Sequence, residues 1–459
     1  MPNTLTVTQA AQQIQTGRLA PLDLLDACLS HINALEGRVH AWASLDVEGA
    51  EAQAREQQEE LARGRLRGAL HGIPIAIKDI VYTRGLRTTA GSKILHDFIP
   101  EYDATVVSKL RDAGAVILGK TVTTEFACFD PPKTRNPWNL AHTPGGSSSG
   151  SAAAVACRMC PAALGSQTGG SISRPAAYCG IVGCKPTWGR VSVYGVHPVS
   201  FSLDHVGPLT RSVADAALLL RIIAGADPHD PLCSDAPVPD YPSGLAKPAT
   251  RTPSIGLIRS YFQETGDHAV WSATEDAADI FRSNGADVTE IDLPRSFSDL
   301  HRMHRTIMFA EAAACHAARF KTRRSDYSPG IRSLLEEGLA LSAVDYADAR
   351  RHQLTFRSEI QAASTGVDLL LTPATLTPAP GDLTTTGDPA FNSPWSYTGL
   401  PTIVLPVKCT PDGLPIGIQL IGRPFAEPDL LTAAAWCESH LGWDKVPKLC
   451  TSPSHSREP

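Results

Sequence analysis

The feature that most constrains the fold is a strand–helix–strand pattern between residues 73 and 118. The short apolar run Ile73–Ile77 predicts a buried strand, and two charged residues, Lys78 and Asp79, follow it directly. Asp103–Ala113 has the pattern of a helix, and Ala115–Leu118 predicts the next strand. A strand, a helix and a strand in succession are typical of a parallel sheet covered by helices.

The rest of the chain continues this alternation. Thr6 and Gln9 have the spacing of a helix capping box, and a second helix is predicted from Pro21. Further elements are predicted as helices at Glu51–Arg63 and near Ala269–Phe281, and as strands at Ile255–Ile258, Asp287–Ile291, Val367–Leu371, Thr402–Val407 and Ile416–Ile421. Residues 225–253 are proline-rich and predict a surface excursion. Without a repeat or a clean linker, the sequence predicts one large α/β domain over residues 1–445 and a polar tail at 446–459.

Composition excludes several classes of function. The formal net charge is -6 and no basic stripe is present, which argues against direct binding of nucleic acid. The 11 cysteines are scattered along the chain and indicate reduced thiols rather than a disulfide framework. The N-terminus lacks the apolar segment of a secretory signal, and no run approaches the roughly eighteen apolar residues that a membrane helix needs. The sequence therefore predicts a cytoplasmic protein without a membrane partner.

Lys78 is the first candidate for chemistry. A lysine at the end of a buried strand is costly unless it is paired. One interpretation is a structural lysine that snorkels or forms an ion pair with Asp79. The other is a desolvated lysine whose pKa falls below the reference of about 10.4, so that the neutral amine can act as a base.

Two loops rich in glycine and serine supply the other candidates. In Thr168–Ser171, two glycines allow successive backbone N–H groups to converge as in an oxyanion hole, and Ser171 stands where a nucleophile would. A glycine–serine turn without chemistry is the alternative. The loop Gly145–Ser151 either relays a proton or caps the following helix, which is predicted from Ala152. It also matches G-x-S-x-G around Ser148, but no apolar strand precedes it, which disfavours Ser148 as a nucleophile.

Together and in this order, these segments resemble the amidase signature family from about Thr6 to Gly442. The strings GIPIAIKD, GGSSSG and TGGS match the family's motifs, and the interval of 24 residues between Ser147 and Ser171 is the one the family keeps. The matching strings GCKPTWGRVS, TGLPTIVLP and DGLPIGIQLIG follow in order. The resemblance implies one large domain with a mixed central sheet covered by helices on both faces.

The resemblance also implies a mechanism without a metal or another cofactor. Ser171 would be the nucleophile, Ser147 a proton relay next to a cis peptide bond, and Lys78 the base. The backbone N–H groups of Thr168, Gly169, Gly170 and Ser171 would hold the oxyanion of an acyl-enzyme reaction.

One departure from the family concerns the support of this loop. Many members have Asp and Arg in D-T-G-G-S-I-R, whereas this chain has Gln167 and Ser173, followed by Arg174. Since both halves of a possible ion pair are replaced together, we expect a rebuilt support for the loop.

The resemblance implies a small-molecule amide as substrate, with aryl or alkyl amides ahead of carbamates and ureas. The alternative is the glutaminase subunit of a tRNA-dependent amidotransferase, with partner subunits that hold the RNA. Four residues fall where family members line the substrate pocket, although a core position is the alternative for most of them: Phe126, Cys128, Trp395 and Tyr397. Whether the chain forms a homodimer is left open.

Other constellations carry weaker signals. The spacing of Cys157, Cys160, Cys179 and Cys184 is irregular, which favours packed thiols over a zinc site. His301 and His304 are interpreted as surface histidines. The pair Asp204-His205 could mimic part of a Ser-His-Asp triad, but it lies in a family-like structural string and is not taken as catalytic.

Overall fold

A single mixed sheet organises the chain. The structure, a computed structural model, describes residues 1–245 and 252–450. Eleven strands of this described part are β1 Trp42–Leu45, β2 Ile73–Lys78, β3 Ala115–Thr121, β4 Ala162–Gln167, β5 Val182–Lys185, β6 His205–Thr210, β7 Ser254–Leu257, β8 Asp287–Glu290, β9 Leu369–Pro373, β10 Thr402–Cys409 and β11 Pro415–Ile421. Their order across the sheet is β1-β3-β2-β4-β6-β5-β10-β11-β9-β7-β8. The sheet is flanked by helices, as the sequence predicts for the fold class.

The α-helices are α1 Val7–Gln15, α2 Pro21–Val39, α3 Val47–Ala62, α4 Thr105–Asp112, α5 Ser149–Ala156, α6 Ser173–Cys179, α7 Val213–Ile223, α8 Tyr241–Leu245, α9 Phe262–Thr265, α10 His268–Ser283, α11 Leu300–Arg323, α12 Pro329–Ala340, α13 Ala343–Ala363, α14 Ser393–Thr398 and α15 Glu427–Leu441. Short 3₁₀ helices lie at Pro2–Thr4, Lys93–Leu95, Glu125–Ala127, Arg295–Asp299, Arg324–Asp326 and Lys448–Cys450. Among the helices of residues 1–245 and 252–450, none is long and apolar enough to cross a bilayer.

The pairing of β2 positions the site. Strand β2 runs parallel to both β3 and β4, and every residue of β2 is buried. Ile77 lies opposite Leu164 of β4 in this register. Because parallel strands end at the same edge of a sheet, Lys78 at the end of β2 comes next to Ser166 near the end of β4.

The predicted elements recur with small shifts, and others were not predicted. The capping box of Thr6 and Gln9 is confirmed, as are the helices α3, α4 and α10 and the five later strands. Helix α5 begins at Ser149 rather than Ala152. Strands β1, β4, β5 and β6 were not predicted; β4, for example, reads AALGSQ and lacks the β-branched residues that mark strands.

Two sequence predictions meet the limits of the described residues. Helix α8 interrupts the proline-rich segment 225–253 and buries Tyr241, whereas residues 246–251 lie outside the described part. Residues 451–459 of the predicted tail also lie outside it. The boundary after residue 445 stays a prediction.

Candidate active site

A cavity of about 460 Å³ lies at the carboxyl ends of β2 and β4. It brings together Ser147, Ser171 and the loop Thr168–Gly170, which come from separate segments of the chain. The other residues that line it are Ala127, Cys128, Phe129, Arg174, His301, His304, Arg305, Met308, Phe309, Thr386, Asp388, Pro389, Ala390 and Ser393.

Lys78 is fully buried directly behind the cavity. Its Nζ is 2.7 Å from Ser147 Oγ and 2.8 Å from Ser166 Oγ. Burial lowers the pKa of Lys78 to about 7, although the nearby Asp204 and Cys128 act to raise it. Within the described residues, Asp79 forms no ion pair with Lys78; its Oδ2 accepts hydrogen bonds from the hydroxyl and the backbone N–H of Thr89. The geometry therefore favours the interpretation of Lys78 as a desolvated amine.

Ser147 and Ser171 face the cavity from two adjacent loops. The Gly146–Ser147 peptide bond is cis, and Arg174 Nη2 donates to the Gly146 carbonyl at 2.8 Å. The Ser148 N–H donates to the Ser171 carbonyl at 3.3 Å, and the Ser148 hydroxyl turns away to donate to the Ser166 carbonyl. In the described structure, no hydrogen bond joins the hydroxyl groups of Ser147 and Ser171. Such catalytic hydrogen bonds often form only when substrate is bound.

Every carbonyl of the loop between β4 and α6 has a donor. The Gln167 carbonyl is 3.2 Å from His205 Nδ1, and the Thr168 carbonyl is 3.1 Å from His304 Nε2. The Gly169 carbonyl accepts from Ser396 Oγ at 2.8 Å. The next two carbonyls accept from backbone N–H groups.

The N–H groups of the same loop remain available. Those of Thr168, Gly169, Gly170 and Ser171 donate to no atom of the described residues. Four consecutive free donors at the wall of a cavity match what an oxyanion hole requires.

Gln167, which stands where many family members have Asp, supports the loop through hydrogen bonds. Its Oε1 accepts hydrogen bonds from the N–H groups of Ile172 and Ser173 at 2.8 and 2.9 Å, at the start of α6. Its Nε2 donates to Ser396 Oγ at 3.1 Å. A neutral amide thus connects the helix of the nucleophile to α14 without an ion pair.

Of the four residues expected in the substrate pocket, Cys128 lines the cavity. Phe126, Trp395 and Tyr397 do not line it in the described structure and are instead fully buried in the core. Phe126 has a positive φ of 49°, and its ring packs against those of His197 and His316.

Helix α14 explains the other two positions. Trp395 stacks on Phe262, and the Tyr397 hydroxyl donates to the Ala349 carbonyl on α13. Ser393 and Ser396, which lie one turn apart, contact the cavity and its loop instead.

Several residues near the site were missed or misassigned from sequence. His304 is buried against the loop and His301 is half-buried on the cavity wall, so their interpretation as surface histidines is wrong. Burial lowers the pKa of His304 to about 4, which keeps its ring neutral near pH 7. The register of the apolar positions in α11, with Ile307 also buried, could have indicated that His304 faces inward.

Asp204 and His205 support the loop, and in the described part of the chain neither forms a hydrogen bond with Ser171. Asp204 accepts a hydrogen bond from the Thr168 hydroxyl at 2.5 Å, and burial raises the pKa of this carboxyl to about 6. Ser166 was also missed. It stands in the motif string GSQTGGS, but its contact with Lys78 depends on the pairing of β2 with β4, which the motif does not specify.

Comparisons with known proteins agree with this fold. The model of the Amidase family matches residues 23–431. The A subunit of the glutamyl-tRNA(Gln) amidotransferase from Roseiflexus castenholzii is 42% identical over 93% of this chain and 94% of that relative. The structure of the peptide amidase from Stenotrophomonas maltophilia superposes with a TM-score of 0.85 at 34% identity, over 96% of this chain and 98% of that chain.

A further solved structure is similar in fold. It is described as a vestigial protein complex that reveals the evolutionary origins of an s-triazine catabolic enzyme. It has a TM-score of 0.90 and 31% identity, and covers 96% of this chain and 100% of that chain. The fold is thus that of enzymes of amide chemistry. The chain belongs to the amidase signature family of hydrolases.

Chelation provides a first prediction about the chemistry. Within residues 1–245 and 252–450, no group of three or more His, Cys, Asp or Glu side chains is placed to hold a metal ion. We therefore expect exhaustive treatment with a chelator to leave the rate of amide cleavage unchanged. Loss of activity that added zinc restores would contradict this and point back to the cysteines around residue 160.

Proposed function

We propose that this chain hydrolyses a carboxamide through an acyl-enzyme on Ser171. The observation that carries the proposal is the hydrogen bond between the buried Lys78 amine and Ser147. Ser147 and Ser171 line the same cavity. The Ser171 hydroxyl passes its proton through Ser147 to neutral Lys78 while Ser171 Oγ bonds to the carbonyl carbon. When the C–N bond breaks, the proton returns through Ser147 to the leaving amine, and water then releases the acid.

The free N–H groups of Thr168, Gly169, Gly170 and Ser171 would hold the oxyanion in this reaction. Their directions are fixed before the substrate arrives, because the carbonyl groups of the same peptide units already accept hydrogen bonds. Preorganised donors of this kind contribute about 3 kcal/mol each when measured by removal of one donor.

The curated relatives support glutamine as the first substrate to test. The Roseiflexus castenholzii amidotransferase protein is 42% identical to this chain, compared with 34% for the peptide amidase of solved structure. In the amidotransferase role the chain would release ammonia from glutamine for partner subunits. Its net charge of -6 fits a protein that leaves the RNA to those partners.

The cavity wall supports a second candidate, an aryl or alkyl amide cleaved without partners. Cys128, Phe129, Met308 and Phe309 form one apolar part of the lining, in which the rings of Phe129 and Phe309 meet edge to face at 6.0 Å. This part of the wall favours an apolar acyl or amine group in contact with it.

One assay separates these candidates. Ammonia or amine release by the isolated chain is measured with glutamine, aryl and alkyl amides, carbamates and ureas, each with and without the partner subunits of a tRNA-dependent amidotransferase. Turnover of glutamine that depends on the partners supports the first candidate, and turnover of apolar amides by the chain alone supports the second. The Ser171→Ala variant gives the background rate. No release above that background from any substrate would overturn the proposed function.

A further inference from the structure

The direction of each free N–H group in the loop follows from the bond made by the carbonyl before it. In a trans peptide the C=O and the following N–H point in opposite directions. The hydrogen bond from His304 to the Thr168 carbonyl therefore turns the Gly169 N–H away from His304. The bond from Ser396 to the Gly169 carbonyl turns the Gly170 N–H away from Ser396 in the same manner.

Ser396 Oγ takes part in two hydrogen bonds, one as the donor to the Gly169 carbonyl and one as an acceptor. A hydroxyl has one hydrogen to donate, and Ser396 gives this hydrogen to the carbonyl. Gln167 Nε2 then donates to Ser396 Oγ, so the chain of donors runs from Gln167 through Ser396 to Gly169. Gln167 and Ser396 are both buried.

An amide suits this position better than a carboxylate would. Gln167 accepts with Oε1 from the start of α6 and donates with Nε2 to Ser396, so it needs an acceptor and a donor at once. A carboxylate has acceptors only and would compete with the Gly169 carbonyl for the single hydrogen of Ser396. It would also place a negative charge one residue from Ser166, which contacts Lys78.

We propose that Gln167 and Ser396 are positioning residues that aim the Gly170 N–H at the oxyanion, and that an uncharged side chain at position 167 is part of this device. This inference rests on the proposed function, because it concerns the same reaction. It adds two residues that do not touch the reacting atoms but set the direction of a group that does.

Two variants test the proposal by different readouts. Ser396→Ala removes the donor to Gly169 and should lower kcat about 10- to 100-fold with little change in KM, because the misdirected N–H matters mainly in the transition state. Gln167→Glu keeps the length of the side chain and should lower kcat as well. Its negative charge should also raise the pKa of Lys78, which shifts the rising limb of the pH–rate profile to higher pH.

The matched control is Thr398→Ala on the same helix. Thr398 is buried, and its hydroxyl donates only to carbonyls of α14, so its loss should cost stability without affecting the loop. Thermal unfolding of all three variants shows whether each is folded at the assay temperature. Equal losses of kcat in Thr398→Ala and Ser396→Ala would overturn the proposal, and so would an unshifted pH profile in Gln167→Glu.

A readout independent of amide turnover keeps this test separate from the proposed function. The rate at which a fluorophosphonate labels Ser171 is followed by mass spectrometry, because the phosphoryl oxygen uses the same donors. Labelling should be about tenfold or more slower in Ser396→Ala than in Thr398→Ala. If the wild type is labelled but cleaves no amide, the proposed function fails and labelling still decides the role of Ser396. If the wild type is not labelled, the loop does not serve Ser171 and the inference fails.

Discussion

Replacement of Ser171 by alanine should abolish amide cleavage while leaving the fold intact. The side chain lines the cavity in a loop with four free N–H groups, and the proposed acyl-enzyme cannot form without its oxygen. Loss of a covalent nucleophile lowers kcat on the order of 10⁴- to 10⁶-fold. The rate is measured with the best substrate of the panel, and the thermal unfolding midpoint should stay near that of the wild type because Ser171 is only partly buried.

Ser148→Ala is the matched control for this prediction. Ser148 stands in the same serine run as Ser147, but its hydroxyl is buried and donates to the Ser166 carbonyl rather than facing the cavity. Its loss should reduce activity far less than the loss of Ser171. An inactive Ser148→Ala enzyme next to an active Ser171→Ala enzyme would assign the nucleophile to the G-x-S-x-G string instead. Mass spectrometry of a trapped acyl adduct locates the nucleophile directly.

The sequence predicted the proposed catalytic residues better than the residues that surround them. Lys78, Ser147 and Ser171 could be placed because their strings, in this order, resemble the motifs of a known family, and the structure brings Lys78 and Ser147 within 2.7 Å. Ser166 could not be placed in the same way, because it lies 88 residues from Lys78 and the two meet only through the pairing of their strands. Strand β4, which carries it, consists of small residues that give little strand signal.

The pocket residues show a second limit of sequence reasoning. Near Phe126 and near Trp395, the position along the chain was right to within a few residues, but the direction of each side chain was not predicted. A positive φ at Phe126 and at Ala127 turns Cys128 to the cavity and Phe126 to the core. On α14 the helical period turns Ser396 to the loop and its two neighbours away from it. In a turn or a helix, an error of one residue in the predicted position therefore places a side chain in the core instead of at the site.

Gln167 shows what a departure from a family motif can reveal. The paired replacement at positions 167 and 173 predicted a rebuilt support, and the structure contains one, built from Gln167 and Ser396. The new partner could not be predicted from sequence, because Ser396 lies 229 residues away on another helix.

Lys78 should set the pH dependence of the reaction. Burial lowers the pKa of its amine to about 7, so the neutral base forms as the pH rises through neutrality. The rate at saturating substrate should therefore climb between about pH 6 and 8 and then level off. Lys78→Ala should lose most of the activity together with this rising limb.

The same pKa carries a prediction about stability. A lysine whose pKa is lower in the folded chain than in the unfolded chain binds fewer protons when folded, so it destabilises the fold below its usual pKa of about 10.4. Stability from this group should increase from about pH 7 toward about pH 10. Lys78→Met, which removes the group, should be inactive but at least as stable as the wild type at about pH 7 in thermal unfolding. A large loss of stability would instead indicate a structural lysine.

Lys78→Arg is the decisive variant, because it keeps a positive charge and removes the base. A guanidinium stays protonated at every pH of the assay and cannot accept the proton of Ser147. We expect its turnover to be nearly as low as that of Lys78→Ala, with no rising limb in the pH profile. Near-normal turnover in Lys78→Arg would show that only charge is needed behind Ser147. The proton of Ser171 would then have to go to an acceptor other than the side chain at position 78.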